Sequence, residues 1–135
     1  MLVDGDVVGE IGAGLCVLLG VADTDDQDAA GRLAHKVARL RIFENEEGRF
    51  DRSLLDVHGS ALVVSQFTLI ADSKRQRGTR PSFTQAARPE QAEPLYEAFI
   101  GALQDEGVDV QSGVFGARMA LELVNDGPVT IILET

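Results

Sequence analysis

The sequence predicts an α+β domain, in which a curved, mixed and mainly antiparallel sheet is covered by two helices. Two stretches, 24–40 and 89–106, carry apolar residues at helical spacing. Short apolar runs such as 15–21 and 61–64, separated by turn signals, are typical of strands. With 135 residues, the chain is expected to form a single domain over 1–135 that is large enough to have its own core.

The first third of the chain predicts a hairpin, a strand and a helix. Apolar pairs on either side of residues 4–6 are typical of a tight hairpin. The continuous apolar run 15–21 predicts a central strand, in which Cys16 is expected to be a small buried residue. Thr24 or Asp25 is expected to cap the first helix. The polar face of that helix carries Arg32, Lys36 and Arg39.

The rest of the chain predicts a second helix and several short strands. The helix follows Pro89, extends to about Glu106 and ends at Gly107, and Pro94 is expected within its first turn. Strands are predicted at 40–43, 49–50, 61–64, 108–110, 118–124 and 129–133.

The composition is that of an ordinary globular protein, with 44% hydrophobic and 25% charged residues. No apolar run approaches the roughly 20 residues of a membrane span, and the first residues show no secretory leader. We therefore expect a cytoplasmic protein without a membrane partner. One cysteine excludes an internal disulfide, and two isolated histidines are too few for a plausible zinc site.

The first informative stretch is 61–84, where an apolar strand runs into polar residues. Buried hydroxyl and amide groups need hydrogen-bond partners, and a buried strand usually avoids them in close succession. The polar segment consists of Ser65, Gln66, Phe67 and Thr68, and the loop after it carries Lys74, Arg75, Arg77 and Arg80. This pattern indicates a site for a ligand with neutral and anionic parts. It is equally compatible with a strand end whose hydroxyls are satisfied and a solvated loop.

The distribution of charge matters more than its sum. A net charge of −10 disfavours general nucleic-acid binding, because phosphate repels an acidic surface. Four of the twelve basic residues nevertheless lie within 74–80, a segment that contains no acid. An acidic body with one cationic patch can accept a nucleic acid in one place and repels it elsewhere.

The second informative stretch is 125–130, which contains Gly127 and Pro128 between two predicted strands. Proline fixes φ and lacks an N–H, so this dipeptide can project backbone carbonyls rigidly with no side chain in the way. Rigid carbonyls can measure the shape of a ligand. Taken alone, the stretch is more typical of an ordinary Gly-Pro turn.

Taken together, these stretches resemble the bacterial D-aminoacyl-tRNA deacylase family. The motifs that carry the resemblance are Ser-Gln-Phe-Thr at 65–68, Arg-Pro-Ser-Phe at 80–83 and Asn-Asp-Gly-Pro-Val-Thr at 125–130. Further similar segments follow in matching order at 40–43, 94–96 and 115–117. The resemblance covers essentially the whole chain. It implies hydrolysis of the ester bond of D-aminoacyl-tRNA, and of glycyl-tRNA mischarged on tRNA(Ala), with no metal or cofactor.

The resemblance also implies a homodimer with active sites at the subunit interface. Each site would combine a catalytic segment of one subunit, made of Ser65, Gln66, Phe67 and Thr68, with the Gly127-Pro128 turn of the other. In this family the Gly-Pro bond is cis, and the turn excludes L-amino acids sterically. The expected supporting residues are Phe115, Met119 and Thr130 around the pocket, and Lys74, Arg75, Arg77 and Arg80 on the tRNA phosphates.

Two aspects of this interpretation are less simple. Thr68 is a candidate nucleophile by chemistry, but no His or Lys is apparent as its base, so we expect it to position the substrate. Family members usually begin with a further strand before the part that matches residues 2–5, and the sequence predicts that this strand is missing here.

The alternatives are a non-catalytic tRNA-binding protein that uses the basic loop and a structural dimer without activity.

Overall fold

The computed structural model describes residues 1–72 and 74–135. In that part of the chain it contains two α-helices, one short 3-10 helix and seven strands. The helices are α1 (Gln27–Arg39), the 3-10 helix (Phe67–Ile70) and α2 (Pro89–Asp105). The strands are β1 (Leu2–Val3), β2 (Asp6–Val7), β3 (Gly14–Leu19), β4 (Phe43–Glu44), β5 (Phe50–Arg52), β6 (Ser60–Ser65) and β7 (Asp109–Ser112). The predicted α+β class with two helices is confirmed.

The central sheet has three strands in the order β3-β6-β7, and both of its ladders are parallel. It differs in this respect from the expected mainly antiparallel sheet. A helix lies between each pair of successive strands, α1 after β3 and α2 after β6, and such crossovers return the chain in the same direction. The antiparallel ladders of the described residues form two hairpins, β1-β2 and β4-β5. The expected central position of 15–21 is wrong, because β6 occupies the middle and β3 lies at one side.

The main core lies where the two helices pack against the sheet. Its fully buried side chains include Phe99 and Leu103 of α2, Val63 of β6 and Leu54 of the preceding turn, each 0% exposed. The Tyr96 hydroxyl donates a hydrogen bond to the Val63 carbonyl at 3.0 Å. Burial raises the pKa of Tyr96, so this hydroxyl keeps its proton. The hydrogen bond fixes α2 to the end of β6 that precedes the polar segment.

The cap of α1 is neither Thr24 nor Asp25, the two residues predicted for it. The cap is Asp26, whose carboxylate accepts a hydrogen bond from the Ala29 N–H at 2.8 Å. Asp25 instead accepts a hydrogen bond from the Ala22 N–H at 2.8 Å, so it closes the turn before the helix.

The predicted end of the second helix near Glu106 is confirmed, but the helix starts earlier than expected and the expected place of Pro94 is wrong. Because Pro89 occupies the first helical position, where its missing N–H costs nothing, Pro94 lies inside the helix beyond the first turn. No helix in the described part of the chain is both long and apolar enough to cross a membrane.

Two apolar segments are more exposed than expected. Cys16 lies exposed on the outer side of β3 rather than buried, and partial desolvation raises the pKa of its thiol. The predicted strands 118–124 and 129–133 are wrong, because the described residues pair this region only through the bridge between Leu2 and Ala120. Val124 and Ile132 are 90% and 84% exposed. The segment has the alternation of a strand, but apart from this one bridge to β1 it pairs with no strand among the described residues.

Candidate functional site

The polar segment 65–68 lies at the carboxyl end of the central strand. Ser65 is the last residue of β6, and the Gln66 N–H donates to the Leu19 carbonyl of β3 at 2.8 Å. The chain then turns into the 3-10 helix, where the Leu69 N–H donates to the Gln66 carbonyl at 3.2 Å. The rigid core strand therefore sets the position of all four predicted catalytic residues.

Gln66 and Thr68 form a hydrogen-bonded pair at the surface. The Gln66 side-chain amide donates to the Thr68 hydroxyl oxygen at 2.6 Å. Because this hydroxyl accepts a hydrogen bond, its own hydrogen is directed away from Gln66 and can be donated to a ligand. Among the described residues, no histidine or lysine contacts Thr68 through a hydrogen bond, which agrees with a positioning role.

Two aromatic rings join the first motif to the 80–83 motif. Phe67 and Phe83 meet edge to face, with ring centroids 5.1 Å apart and an interplanar angle of 72°. Phe67 remains 57% exposed. The Asp72 N–H donates to the Ser82 carbonyl at 2.8 Å, so the intervening basic loop begins and ends beside this aromatic pair.

One arginine of the basic loop forms an ion pair with an acid that lies just outside the loop. Asp72, just before the loop, lies 3.4 Å from the Arg75 guanidinium and accepts the Lys74 N–H at 2.9 Å. The Arg80 N–H donates to the Arg77 carbonyl at 3.4 Å, which closes the loop. All four predicted tRNA-binding side chains are exposed, but Asp72 partly neutralises Arg75.

The Gly127-Pro128 turn is held by a residue that sequence reasoning missed. The Asn125 side chain accepts the Val129 N–H at 2.8 Å and donates to the Thr130 hydroxyl at 3.0 Å. The peptide bond between Gly127 and Pro128 is cis. Thr130 is therefore a support of the turn itself. An asparagine that precedes a turn was the available signal, because Asn side chains bond to backbone groups a few residues away.

Phe115 and Met119 pack on opposite faces of the central strand, since Phe115 adjoins the cluster that contains Val63 and Met119 the cluster that contains Val64. The Phe115 ring packs against Tyr96 with centroids 5.7 Å apart. The Met119 sulfur accepts the Val114 N–H at 3.2 Å, and its side chain packs on the cluster that contains Val64. Both residues therefore adjoin the strand that carries the first motif.

The single chain brings together only part of the predicted site. Residues 65–68 and 80–83 are in contact through Phe67 and Phe83, whereas Phe115 and Met119 pack on the two faces of β6. Within residues 1–72 and 74–135, no hydrogen bond or aromatic contact joins the Gly127-Pro128 turn to 65–68. The same residues contain no group of three or more His, Cys, Asp or Glu side chains placed to hold a metal ion.

Sequence comparisons match this chain to one family along almost its whole length. The family model described as D-Tyr-tRNA(Tyr) deacylase matches residues 1–134. A D-aminoacyl-tRNA deacylase of Thermus aquaticus is 55% identical over 133 residues, which cover 98% of this chain and 86% of that protein. One from Roseiflexus castenholzii is 59% identical over 133 residues, with coverage of 98% and 83%.

Two solved structures share the fold. The structure titled "c-Myc DNA Unwinding Element Binding Protein" superposes with a TM-score of 0.89 and 38% identity, over 99% of this chain and 90% of that one. A structure described as that of a probable eukaryotic D-amino acid tRNA deacylase superposes with a TM-score of 0.65 and 20% identity, over 80% and 77% of the two chains. The second likeness shows the fold alone.

Proposed function

Because the chain belongs to the D-aminoacyl-tRNA deacylase family of hydrolases, we propose that it cleaves the ester between a D-amino acid and the terminal ribose of tRNA. The products are the free amino acid and tRNA, and the reaction takes place in the cytoplasm. The proposal includes glycine mischarged on tRNA(Ala), since a gate that excludes L side chains admits an amino acid with none. The observation that carries it is the Ser65–Thr68 segment, fixed at the strand end with the Thr68 hydroxyl facing outward.

The proposed chemistry needs positioning and charge stabilisation more than a protein nucleophile. Water attacks the ester carbonyl, the bond to the ribose oxygen breaks, and that oxygen takes up a proton with help from the neighbouring 2′-hydroxyl. The backbone N–H groups of Phe67 and Thr68 make no hydrogen bond among the described residues, since they precede the first bond of the 3-10 helix. They are suited to hold the negative charge that develops on the carbonyl oxygen.

The proposed chirality gate is supplied by a second copy of the chain. Two observations support a homodimer. The Gly127-Pro128 turn makes no hydrogen bond to 65–68 in its own protomer within the described residues, and the segment around it exposes Leu123, Val124, Ile131 and Ile132. Burial of apolar surface stabilises association by about 25 cal/mol per Å², so pairing of this segment across a dimer would cover side chains that water now surrounds.

The proposal is tested by release of amino acid from matched D- and L-tyrosyl-tRNA. We expect rapid hydrolysis of the D ester, slow hydrolysis of the L ester and a dimeric mass in analytical ultracentrifugation. Equal rates of hydrolysis with both enantiomers would contradict the proposed chirality gate. Absence of turnover with either ester would contradict the proposed activity.

Replacing Thr68 with valine is expected to lower kcat for D-tyrosyl-tRNA by about tenfold, since a single hydrogen bond contributes about 1–1.5 kcal/mol. Valine keeps the shape of threonine but lacks the hydroxyl that accepts from Gln66. Single-turnover kinetics measure the effect. Thr68→Ser retains the hydroxyl and is expected to restore most of the rate, and a serine variant as slow as valine would contradict the positioning role.

Reversing two charges in the basic loop, with Arg75→Glu and Arg77→Glu, is expected to raise the Kd for tRNA by about tenfold. Phosphate contacts position a nucleic acid and carry no information about the amino acid. The ratio of D to L hydrolysis should therefore stay unchanged. Filter binding and parallel deacylation assays measure both quantities, and a loss of enantiomer discrimination would contradict the assignment.

A non-catalytic nucleic-acid-binding protein is the second candidate. It is favoured by the basic loop and by the structure that superposes with a TM-score of 0.89, since that protein is described as a DNA-binding protein. Binding of tRNA without any release of amino acid would favour this candidate over the first.

A further inference from the structure

A cationic groove lies on helix α1, away from the proposed catalytic segment. We call it the α1 groove, and it has a volume of about 760 Å³. Its charged and polar walls are Arg32, His35, Lys36, Arg39, Arg41 and Glu106. The first four stand on one exposed face of α1, because residues three and four apart are neighbours on a helix.

Two of the four arginines and lysines in the groove form ion pairs with acidic residues. Arg39 lies 2.6 Å from Glu106, whose carboxylate also contacts His35 at 3.1 Å. Arg39 and then His35 lower the pKa of Glu106, so this carboxyl stays ionised and holds Arg39 in place. Arg41 forms an ion pair with Asp51.

The other two cations of the groove are available to a ligand. Within residues 1–72 and 74–135, Arg32 and Lys36 form no ion pair, and both are exposed. Residues at positions i and i+4 have their Cβ atoms about 5–6 Å apart. These two charges therefore stand side by side and face solvent.

The grouping is pronounced for so acidic a chain. Of the twelve lysines and arginines, four line this groove and four stand in the basic loop. The net charge is −10, so most of the remaining surface repels anions. Clustering of cations on an acidic protein is the electrostatic footprint of a polyanionic ligand.

The groove lies towards the opposite end of the central strand from the catalytic segment. The end of α1 adjoins the turn that leads into β6, where the Leu55 N–H donates to the Ala38 carbonyl at 3.4 Å. Residues 65–68 follow the other end of β6. Six strand residues span about 20 Å, so a single aminoacyl-nucleoside is too short to reach both places, whereas a folded RNA is not.

We propose that the α1 groove binds backbone phosphates of the RNA body, while the aminoacyl end occupies the catalytic segment. This inference rests on the proposed function for the identity of the RNA. Arg32 and Lys36 make the phosphate contacts, and the Arg39–Glu106 pair forms a fixed wall beside them. Such contacts set the orientation of the RNA without reading its sequence.

The test compares two double charge reversals of equal size. Arg32→Glu with Lys36→Glu removes the proposed contacts, and Arg49→Glu with Arg52→Glu makes the same change in net charge on the β4-β5 hairpin, outside the groove. We expect the groove variant to raise the Kd for tRNA by about tenfold and to reduce the slope of log K against log salt by about 2. We expect the hairpin variant to have a much smaller effect on both quantities.

A short substrate separates the groove from the catalytic segment. Hydrolysis of D-tyrosyl-adenosine, which has no RNA body, should be equal in the groove variant and the wild type. The inference is overturned if the two double variants weaken tRNA binding equally, or if the groove variant loses activity on D-tyrosyl-adenosine. If wild-type protein binds tRNA but releases no amino acid, the proposed function fails, and the binding comparison still decides the role of the groove.

Discussion

Replacing Gly127 with alanine is expected to lower kcat/KM for D-aminoacyl-tRNA by about 100-fold, the effect of an ångström-scale misplacement at a reacting site. Gly127 has φ +137, a conformation that side chains rarely adopt. An added Cβ would stand 2.8 Å from the Val129 side chain and 3.2 Å from the Val129 backbone nitrogen. The turn must therefore shift, and the proposed gate shifts with it.

The glycine in the β4-β5 turn provides the matched control. Gly48 also has positive φ, at +75, but no atom lies within 4 Å of the Cβ that alanine would add. Gly48→Ala should cost about 1 kcal/mol of stability and leave kcat/KM unchanged. Steady-state assays with D- and L-tyrosyl-tRNA measure both variants. Wild-type rates and an unchanged D-to-L ratio in Gly127→Ala would show that this turn has no part in the reaction.

Replacing Phe99 with alanine is expected to reduce the free energy of unfolding by about 3–5 kcal/mol. Phe99 is 0% exposed and lies in the core cluster that the two helices share with the sheet. Truncation removes the buried phenyl ring from the core and leaves a cavity in its place. Since domains of this size are stable by only about 5–15 kcal/mol, the variant should lose a large part of its stability.

Urea denaturation measures this change through the midpoint and slope of the transition. Glu97→Ala, an exposed position in the same helix, should change the free energy by less than about 0.5 kcal/mol. A loss below about 1 kcal/mol in Phe99→Ala would mean that the α2–sheet contact is not the main stabilising feature of the fold.

The helices were predictable because their signals are local. The apolar period of α2, its leading Pro89 and its ending Gly107 all lie within one stretch of chain. The parallel direction of the strands in the central sheet was not predictable, because parallel pairing is set by crossovers between distant segments. The predicted strands at 118–124 and 129–133 were wrong for a related reason. Alternation of apolar and polar residues describes the two faces of a strand and says nothing about whether a partner strand is present.

The candidate site was predictable where its residues are contiguous. Residues 65–68 form one motif, and the structure places them together at the end of β6. The partners that tune a site come from other parts of the chain and are harder to anticipate. Asp72 beside Arg75 lay just outside the basic loop, and the α1 groove is completed by Glu106, far away in sequence from Arg39.

Among the described residues, the Asn125 side chain bonds only to groups within 125–130, so the turn carries its own scaffold. Its shape therefore does not depend on contact with a second molecule. Surfaces that are ordered before they meet lose less conformational entropy on association than segments that fold as they bind. In the proposed homodimer, the subunits can therefore exchange and form the interface again without having to reform the loop each time.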